Sequence, residues 1–211
     1  MNAFLLGATG LVGRHLLECL LASADYERVV APVRRSSGVD SDSLIEVPFD
    51  AEGASLWKPP VSIDHAFIAF GTTRKSAGSI EAQWDIDVRM PRLYAERLRQ
   101  IGVRHLSLCS SIGANRTSAF AYSCMKGQLE EDIRQMEFPS FATFRPSVLG
   151  GHRGERERRA EVLAQRAFSL LPKKWRTIPA ERVARAMVRT ALAEPEGMSI
   201  IPSHKIWVRS E

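Results

Sequence analysis

Three glycines at a spacing of three, Gly7, Gly10 and Gly13, separate a short apolar run from an amphipathic one in the opening sequence MNAFLLGATGLVGRHLLECLLA. A glycine inside a helix costs roughly 1 kcal/mol relative to alanine, so three of them at one junction need a reason. Residues 3–6 have the length and apolarity of a buried strand, and leucines recur at helical spacing after the glycines. The pattern therefore predicts a strand, a tight turn and a helix.

A glycine turn between a strand and a helix is typical of phosphate binding. One glycine allows the tight bend, one lets the backbone touch a pyrophosphate, and one lets the helix pack closely on the strand. The N-terminal N–H groups of the helix and its dipole then face the phosphates. We predict a dinucleotide site, against the alternative of a merely structural turn, with the contact residues Gly7, Thr9, Gly10, Leu11, Val12 and Gly13.

The end of the second predicted strand, Arg28–Val33, indicates which dinucleotide binds. An acidic residue about 20 positions beyond the turn would bind the ribose hydroxyls of NAD, whereas arginine would pair with the 2′-phosphate of NADP. Arg34 and Arg35 follow this strand. The sequence therefore predicts NADPH as the cofactor, with a solvated basic turn as the alternative. Asp50, after a third predicted strand at Leu44–Pro48, is either an acceptor for the adenine amino group or a simple turn residue.

Strands and helices alternate along most of the chain. Further strands are predicted at 65–70, 105–109 and 141–145, and helices at 80–100, with a kink near Pro91, and at 121–136. A helix from about Pro179 and short closing strands at 198–201 and 205–208 follow. This order predicts an α/β fold, a Rossmann-type doubly wound parallel sheet. We expect a single domain over residues 1–211, in which about 150–211 form a small substrate-side portion.

A tyrosine and a lysine lie four residues apart in the sequence AYSCMKGQLEE, and so on one face of the predicted helix. A phenol is a poor acid or base at neutral pH because its unperturbed pKa is about 10. A nearby ammonium favours the phenolate and brings the group toward the working range. Tyr122, with Lys126 beside it, is therefore a candidate to protonate a carbonyl oxygen as hydride arrives. The pair alone is only suggestive.

Two serines, Ser110 and Ser111, follow the predicted strand 105–109. The carboxyl ends of strands in such sheets are where ligands bind. Alternate side chains of a strand face opposite ways, so only one hydroxyl is expected to point into the site. We predict Ser111 as the group that hydrogen-bonds the substrate oxygen, with ordinary loop capping as the alternative.

Five motifs together carry a family resemblance: GATGLVG, FGTTRKSAG, SSIGA, YSCMK and FRPSVLGG. The chain resembles the short-chain dehydrogenase/reductase superfamily in its extended and atypical branches. Within these it is similar to the small NADPH-binding oxidoreductases that resemble the Tat-interacting protein. The resemblance implies a nicotinamide cofactor and these roles: Tyr122 as acid and base, Lys126 on the nicotinamide ribose, Ser111 at the substrate oxygen, Gly71 and Thr72 near the ribose, and Pro146 near the nicotinamide.

The chain departs from the family pattern at two places. Asp87 stands where many extended members carry an asparagine. The part after Gly150 is short compared with that of sugar-nucleotide epimerases and dehydratases, so a large nucleotide-sugar pocket is not expected. The basic run that begins at Arg153 is either a lid that meets an anionic substrate or a solvated helix face.

Composition and charge limit the partners. The net charge of +5 is a mild excess that suits an anionic cofactor and is weak support for nucleic acid, so no nucleic-acid partner is expected. The histidines lack metal-ligand spacing, and the apolar runs are shorter than a membrane span, so neither a metal nor a membrane is expected. The partners expected are a small-molecule substrate, possibly an anion, and a second copy in a homodimer.

Cysteine usage bears on location. Cys19, Cys109 and Cys124 form no CxxC pair and lie in apolar segments, which favours buried free thiols and a reducing compartment. With no basic leader before the first apolar run, the sequence predicts a cytoplasmic protein.

Two functions of different classes fit these observations. The first is an NADPH-dependent oxidoreductase that reduces a carbonyl or similar polarised bond through tyrosine, lysine and serine. The second is an NADPH-binding regulator with little or no turnover, whose cofactor occupancy changes its partner contacts. The intact set of three side chains favours the enzyme, and the small carboxyl-terminal region favours the regulator.

Overall fold

A computed structural model describes residues 1–50, 54, 57–150 and 177–210 of the chain. Seven parallel strands form one sheet in the order β3-β2-β1-β4-β5-β6-β9. Their bounds are β1 Asn2–Leu6, β2 Arg28–Val33, β3 Leu44–Pro48, β4 His65–Ile68, β5 His105–Cys109, β6 Ser140–Arg145 and β9 Gly197–Pro202. A separate two-stranded pair joins β7 Leu149–Gly150 to β8 Ile178–Pro179.

Helices connect the strands and cover both faces of the sheet. They are α1 Leu11–Ala22, α2 Arg74–Ala77, α3 Ile80–Trp84, α4 Met90–Gln100, α5 Ala121–Arg134, α6 Ala180–Ala193 and α7 Ser203–Arg209. The strand order reverses between β1 and β4, which is the doubly wound arrangement, and the predicted Rossmann-type fold is confirmed.

The core has two layers because the central strands are buried on both faces. Leu5 of β1 packs in one cluster with residues of α1 and α6, and its neighbours Phe4 and Leu6 pack in the other with residues of α4 and α5. All three are fully buried, which explains why β1 is apolar throughout rather than alternating. Residues that follow the carboxyl ends of the strands line the cavities described below.

The helix predicted over 80–100 is interrupted. A π-helical turn, Asp85–Arg89, separates α3 from α4, and Pro91 stands in the first turn of α4. Proline lacks an N–H and its ring crowds the carbonyl four residues before it, which here belongs to Asp87. The predicted break near Pro91 is present. It takes the form of a single π-helical turn, which is often found at functional sites.

The carboxyl-terminal segment forms a helix where the sequence predicted a closing strand. The run at 205–208, predicted as a strand, lies in the helix α7, so that prediction is wrong. A short apolar run fits either structure, and here Pro202 ends β9 at the sheet edge and precedes the helix, which buries Ile206 and leaves Val208 72% exposed. The described part of the predicted substrate-side portion, 177–210, supplies the edge strand β9 and the helix α6 that packs on α1.

Candidate functional site

The turn between β1 and α1 has no room for side chains at two of its glycines. Gly7 adopts a φ of +96°, and a Cβ there would lie 2.5 Å from the Ala69 carbonyl oxygen. A Cβ on Gly13 would lie 1.8 Å from the Gly7 carbonyl oxygen. The Gly10 N–H donates to that same oxygen at 2.9 Å and closes the turn. The turn therefore has the tight bend and the close helix packing predicted from the glycine spacing.

A cavity of about 820 Å³ opens from this turn across the carboxyl ends of β1, β2 and β4. Six of its fifteen lining residues carry a basic or hydroxyl side chain. The residues lining it are Gly7, Thr9, Gly10, Leu11, Arg14, Pro32, Val33, Arg34, Arg35, Ser36, Ser37, Phe49, Ala69, Phe70 and Gly71. Arg14 was missed from the sequence, although it lies one helical turn after Gly10 and so faces the same way.

A carboxylate holds the loop that carries the two predicted phosphate-binding arginines. The backbone N–H of Ser37 donates to Glu46 Oε1 at 2.7 Å and its hydroxyl donates to the same oxygen at 2.5 Å. Burial alone would raise the pKa of Glu46, but the hydrogen bonds from Ser37 outweigh it and lower the pKa. Arg34 and Arg35 thus project from a loop fixed by a charge-assisted contact.

Asp50 lies beside this cavity rather than in the set of side chains that lines it. It follows Phe49, which does line the cavity and stacks on Phe70 with ring centroids 5.5 Å apart. The Tyr94 hydroxyl donates to the Asp50 carbonyl oxygen at 3.0 Å and receives the Asp50 N–H at 3.3 Å. The chain is therefore anchored at Asp50, and a contact of its side chain with adenine stays a prediction.

A second cavity of about 460 Å³ continues from the first. The two share Gly10, Leu11, Ala69, Phe70 and Gly71, so they form one elongated cleft. Its further lining residues are Val12, Thr72, Thr73, Arg74, Gln83, Cys109, Ser110, Ala121, Tyr122, Lys126 and Leu149. Three predicted site residues, Thr72, Tyr122 and Lys126, are therefore brought together with the glycine turn.

The tyrosine and lysine occupy the first turns of α5. Lys126 is only 4% exposed, its Nζ lies 5.8 Å from the centre of the Tyr122 ring, and it donates to the Phe70 carbonyl oxygen at 3.5 Å. Tyr122 is 45% exposed at the cleft. A Cβ on Gly127 would lie 2.3 Å from the Arg116 nitrogen, so α5 packs directly on the preceding loop. This close packing fixes the lysine relative to the sheet.

The two serines at the end of β5 face different surroundings. Ser110 is 5% exposed and lines the second cavity, and its hydroxyl oxygen is buried without a hydrogen-bond partner among the described residues. Ser111 donates its hydroxyl to the Ile112 carbonyl oxygen at 3.1 Å. The Ile112 N–H donates to the carbonyl oxygen of the buried Pro146 at 2.8 Å, which ties this loop to the segment after β6.

The Cys109 thiol, directly before Ser110 in the chain, also lines the second cavity. Burial raises the pKa of Cys109 to about 11, and the positive charge of Lys126 offsets only part of that effect. The thiol therefore stays protonated at neutral pH and acts as a small apolar wall of the cavity.

The cleft fits a dinucleotide. The glycine turn, the N-terminus of α1 and two adjoining cavities meet at the switch point of the sheet, and the turn has no room for Cβ atoms at Gly7 and Gly13. Arginines stand at one end of the cleft, and a tyrosine, a lysine and a serine stand at the other. Fold and site together define a dinucleotide-binding protein of Rossmann type.

Comparison with protein families agrees with this assignment to the Rossmann-type dinucleotide-binding proteins. The model of the NAD dependent epimerase/dehydratase family matches residues 3–166, and the chain belongs to this family, an extended member of the short-chain dehydrogenase/reductase superfamily. The chain is 33% identical to the protein fmp52, mitochondrial, of Aspergillus clavatus, over 98% of this chain and 94% of that one. It is 34% identical to the protein of the same name from Aspergillus fumigatus, with the same coverage.

Solved structures show the same fold. The Bordetella bronchiseptica enzyme WbmH in complex with NAD+ superposes with a TM-score of 0.75 at 16% identity, over 96% of this chain and 75% of that one. A short chain dehydrogenase family protein from Francisella tularensis superposes with a TM-score of 0.68 at 15% identity, over 97% and 98% of the two chains.

The relatives correct one prediction. They are named mitochondrial, which contradicts the cytoplasmic location expected from the sequence. That expectation rested partly on free thiols, and free thiols do not distinguish one reducing compartment from another.

Several expectations lie beyond the described residues or concern absences. The basic run proposed as a lid, at 153–159, is outside the described ranges. Over residues 1–50, 54, 57–150 and 177–210, no helix has the length and apolarity needed to cross a membrane. The same stretches contain no group of three or more metal-ligating side chains.

Proposed function

We propose that this chain is an NADPH-dependent oxidoreductase that reduces a carbonyl or a similar polarised bond of a small molecule. One observation carries the proposal: Tyr122 and Lys126 line a cavity that is continuous with the glycine turn. A phosphate-binding turn alone would bind a nucleotide without a proton donor for the reduced oxygen. The tyrosine supplies that donor next to the predicted position of the nicotinamide.

The side chains have separate tasks in this reaction. A bound nicotinamide supplies hydride chemistry. Tyr122 donates its phenolic proton to the substrate oxygen as negative charge develops there. Lys126, 5.8 Å from the tyrosine ring, stabilises the phenolate that remains and is placed to bind ribose hydroxyls.

A serine hydroxyl is proposed to hold the substrate oxygen. The cavity supports Ser110 for this task, in contrast to the expectation of Ser111 from the sequence, because the Ser110 hydroxyl is buried at the cavity without a partner among the described residues. An unpaired buried hydroxyl costs about 1–3 kcal/mol, which a substrate hydrogen bond would offset. Ser110→Ala and Ser111→Ala, compared for carbonyl reduction, decide between the two serines.

Cofactor preference for NADPH is proposed on the charge of the first cavity. Arg14, Arg34 and Arg35 all line it, and arginine forms forked hydrogen bonds with phosphate. NADH lacks the 2′-phosphate and would leave these contacts unmade.

Substitution of Tyr122 by phenylalanine tests the reaction. Tyr122→Phe keeps the ring and removes the proton donor, and general acid catalysis contributes about 10²- to 10⁴-fold, so carbonyl reduction should fall by that factor while NADPH binding survives. The assay follows NADPH absorbance over a panel of carbonyl compounds, alongside cofactor titration. Normal turnover of a confirmed substrate by Tyr122→Phe would refute the mechanism. A wild-type protein that binds NADPH but oxidises it with no panel member would instead favour the regulator.

A further inference from the structure

A fully buried carboxylate lies beneath the nicotinamide end of the cleft. Asp87, on the π-helical turn between α3 and α4, is 0% exposed. Its Oδ1 accepts the Thr72 N–H at 2.6 Å, and its Oδ2 accepts from Gln83 Nε2 at 3.3 Å. Gln83 is itself buried, and its Nε2 also donates to the Thr72 carbonyl oxygen at 3.4 Å. The N–H and the carbonyl oxygen of Thr72 are therefore both hydrogen-bonded to buried side chains.

The same carboxylate faces the buried lysine across a glycine. A Cβ on Gly71 would lie 2.9 Å from Asp87 Oδ1 and 3.0 Å from Lys126 Nζ, so the two charged atoms are within about 6 Å of each other. Opposite charges at this separation attract each other. A buried ion without such compensation costs several kcal/mol. Gly71 therefore has no space for a side chain, because both charged atoms would lie within about 3 Å of its Cβ.

We propose that Asp87 is a positioning residue for the nicotinamide half of the cofactor site. It acts in two ways: it holds the Gly71–Thr72 backbone at the cleft, and it balances the charge of Lys126 so that the ammonium stays at the Phe70 carbonyl oxygen. The inference rests on the proposed function, since it assigns Asp87 to the cofactor site described there. The π-helical turn places the Asp87 carboxylate within hydrogen-bond distance of Thr72, which lines the cleft.

A comparison of two ligands isolates this effect from general damage. NADPH would span both cavities of the cleft, whereas adenosine 2′,5′-bisphosphate would reach only the adenine half. Asp87→Asn keeps the shape and one acceptor and removes the charge, which halves the strength of a charge-assisted contact. We expect NADPH affinity to fall about ten-fold while affinity for the bisphosphate changes less than two-fold, with both measured by calorimetry. A long-range effect of the lost charge acts on both ligands, so it changes the ratio of their affinities less than a loss confined to the nicotinamide half does.

Asp85→Asn is the matched control. Asp85 lies on the same π-helical turn, but its side chain is about half exposed and pairs with Arg89 at 2.8 Å. Its substitution should leave both affinities unchanged. Equal loss of both ligands in Asp87→Asn, or an unchanged NADPH affinity, would overturn the proposal.

A double-mutant cycle tests the link to the lysine. If Asp87 acts in part through Lys126, then adding Asp87→Asn to Lys126→Met should weaken NADPH binding by clearly less than Asp87→Asn does alone. Fully additive losses would overturn that link. Should Asp87→Asn fail to fold, the double variant, which removes both charges, is compared with Lys126→Met.

Hydrogen exchange gives a readout that needs no cofactor. In the free protein, amide exchange over residues 70–73 should be faster in Asp87→Asn than in wild type and unchanged in Asp85→Asn. Unaltered exchange in Asp87→Asn refutes the inference whatever the cofactor is. Failure of wild-type protein to bind NADPH, with faster exchange in Asp87→Asn, would refute the proposed cofactor and leave the positioning role of Asp87 intact.

Discussion

A buried histidine at the opposite end of the sheet predicts how stability depends on pH. His105, the first residue of β5, is 0% exposed, with Nδ1 2.7 Å from Ser140 Oγ and Nε2 2.8 Å from Ser107 Oγ. The Ser140 hydroxyl donates to the Pro195 carbonyl oxygen at 2.8 Å, so it accepts the Nδ1 proton. Burial, with a smaller contribution from His65, lowers the pKa of His105 from 6.5 to about 3. The neutral ring is the folded form.

The pKa of His105 is lower in the folded protein than in the unfolded chain, and this order fixes the direction in which stability changes with pH. Between about pH 3 and 6.5 the unfolded chain binds a proton at His105 and the folded protein does not, so stability is full above pH 6.5 and falls as the pH drops. At pH 5 the difference from the unfolded value is about 1.5 pH units, which corresponds to a loss of about 2 kcal/mol at 1.36 kcal/mol per unit.

Urea denaturation of wild type and His105→Gln at pH 7 and pH 5 measures this loss. The variant is expected to be less stable at pH 7 and to lose about 2 kcal/mol less than wild type on going to pH 5. The difference between the two proteins removes the contribution of carboxylates, which both share. His204→Gln, at an exposed histidine, should behave as wild type. An equal loss in wild type and His105→Gln would show that His105 is not the titrating group.

Three further predictions concern the cofactor and the assembly. Wild-type protein should bind NADPH more tightly than NADH in a titration, and Arg34→Ala or Arg35→Ala should reduce the difference; equal affinities in wild type would contradict the assignment. Gly13→Ala should abolish NADPH binding in the same titration, because its Cβ would lie 1.8 Å from the Gly7 carbonyl oxygen and the turn cannot keep its shape. Light scattering at micromolar concentration should give the mass of a homodimer, and a mass near 23.5 kDa would exclude it.

The strands and the glycine turn were predictable because each carries a strong local signal. Strands such as Arg28–Val33 and His105–Cys109 are short apolar runs bounded by polar or loop residues, and they occur as predicted. The turn follows from steric demands at Gly7 and Gly13 that other residues cannot meet. The spacing of Tyr122 and Lys126 was sufficient to place them on one helix face.

Features that depend on tertiary contact were not predictable in the same way. Asp87 stood out in the sequence only as an acid where an amide was expected. Its hydrogen-bond partner Thr72 lies 15 positions earlier, and the nearby charge of Lys126 lies on α5. Glu46 meets Ser37 because β2 and β3 pair in a particular register, which no local pattern encodes. The run at 205–208 was ambiguous because periodicity cannot separate a short strand from a short helix.

Both ends of the cleft share one electrostatic arrangement. At the first cavity, Glu46 accepts two hydrogen bonds from Ser37 in the loop that carries Arg34 and Arg35. At the second cavity, Asp87 accepts the Thr72 N–H and lies near Lys126. Neither carboxylate is among the residues that line the two cavities. Cationic groups facing a site would otherwise repel one another and sample several positions before a ligand arrives. A group that a carboxylate has fixed in advance loses less conformational freedom on binding, so more of the free energy of the proposed phosphate and ribose contacts would appear as affinity.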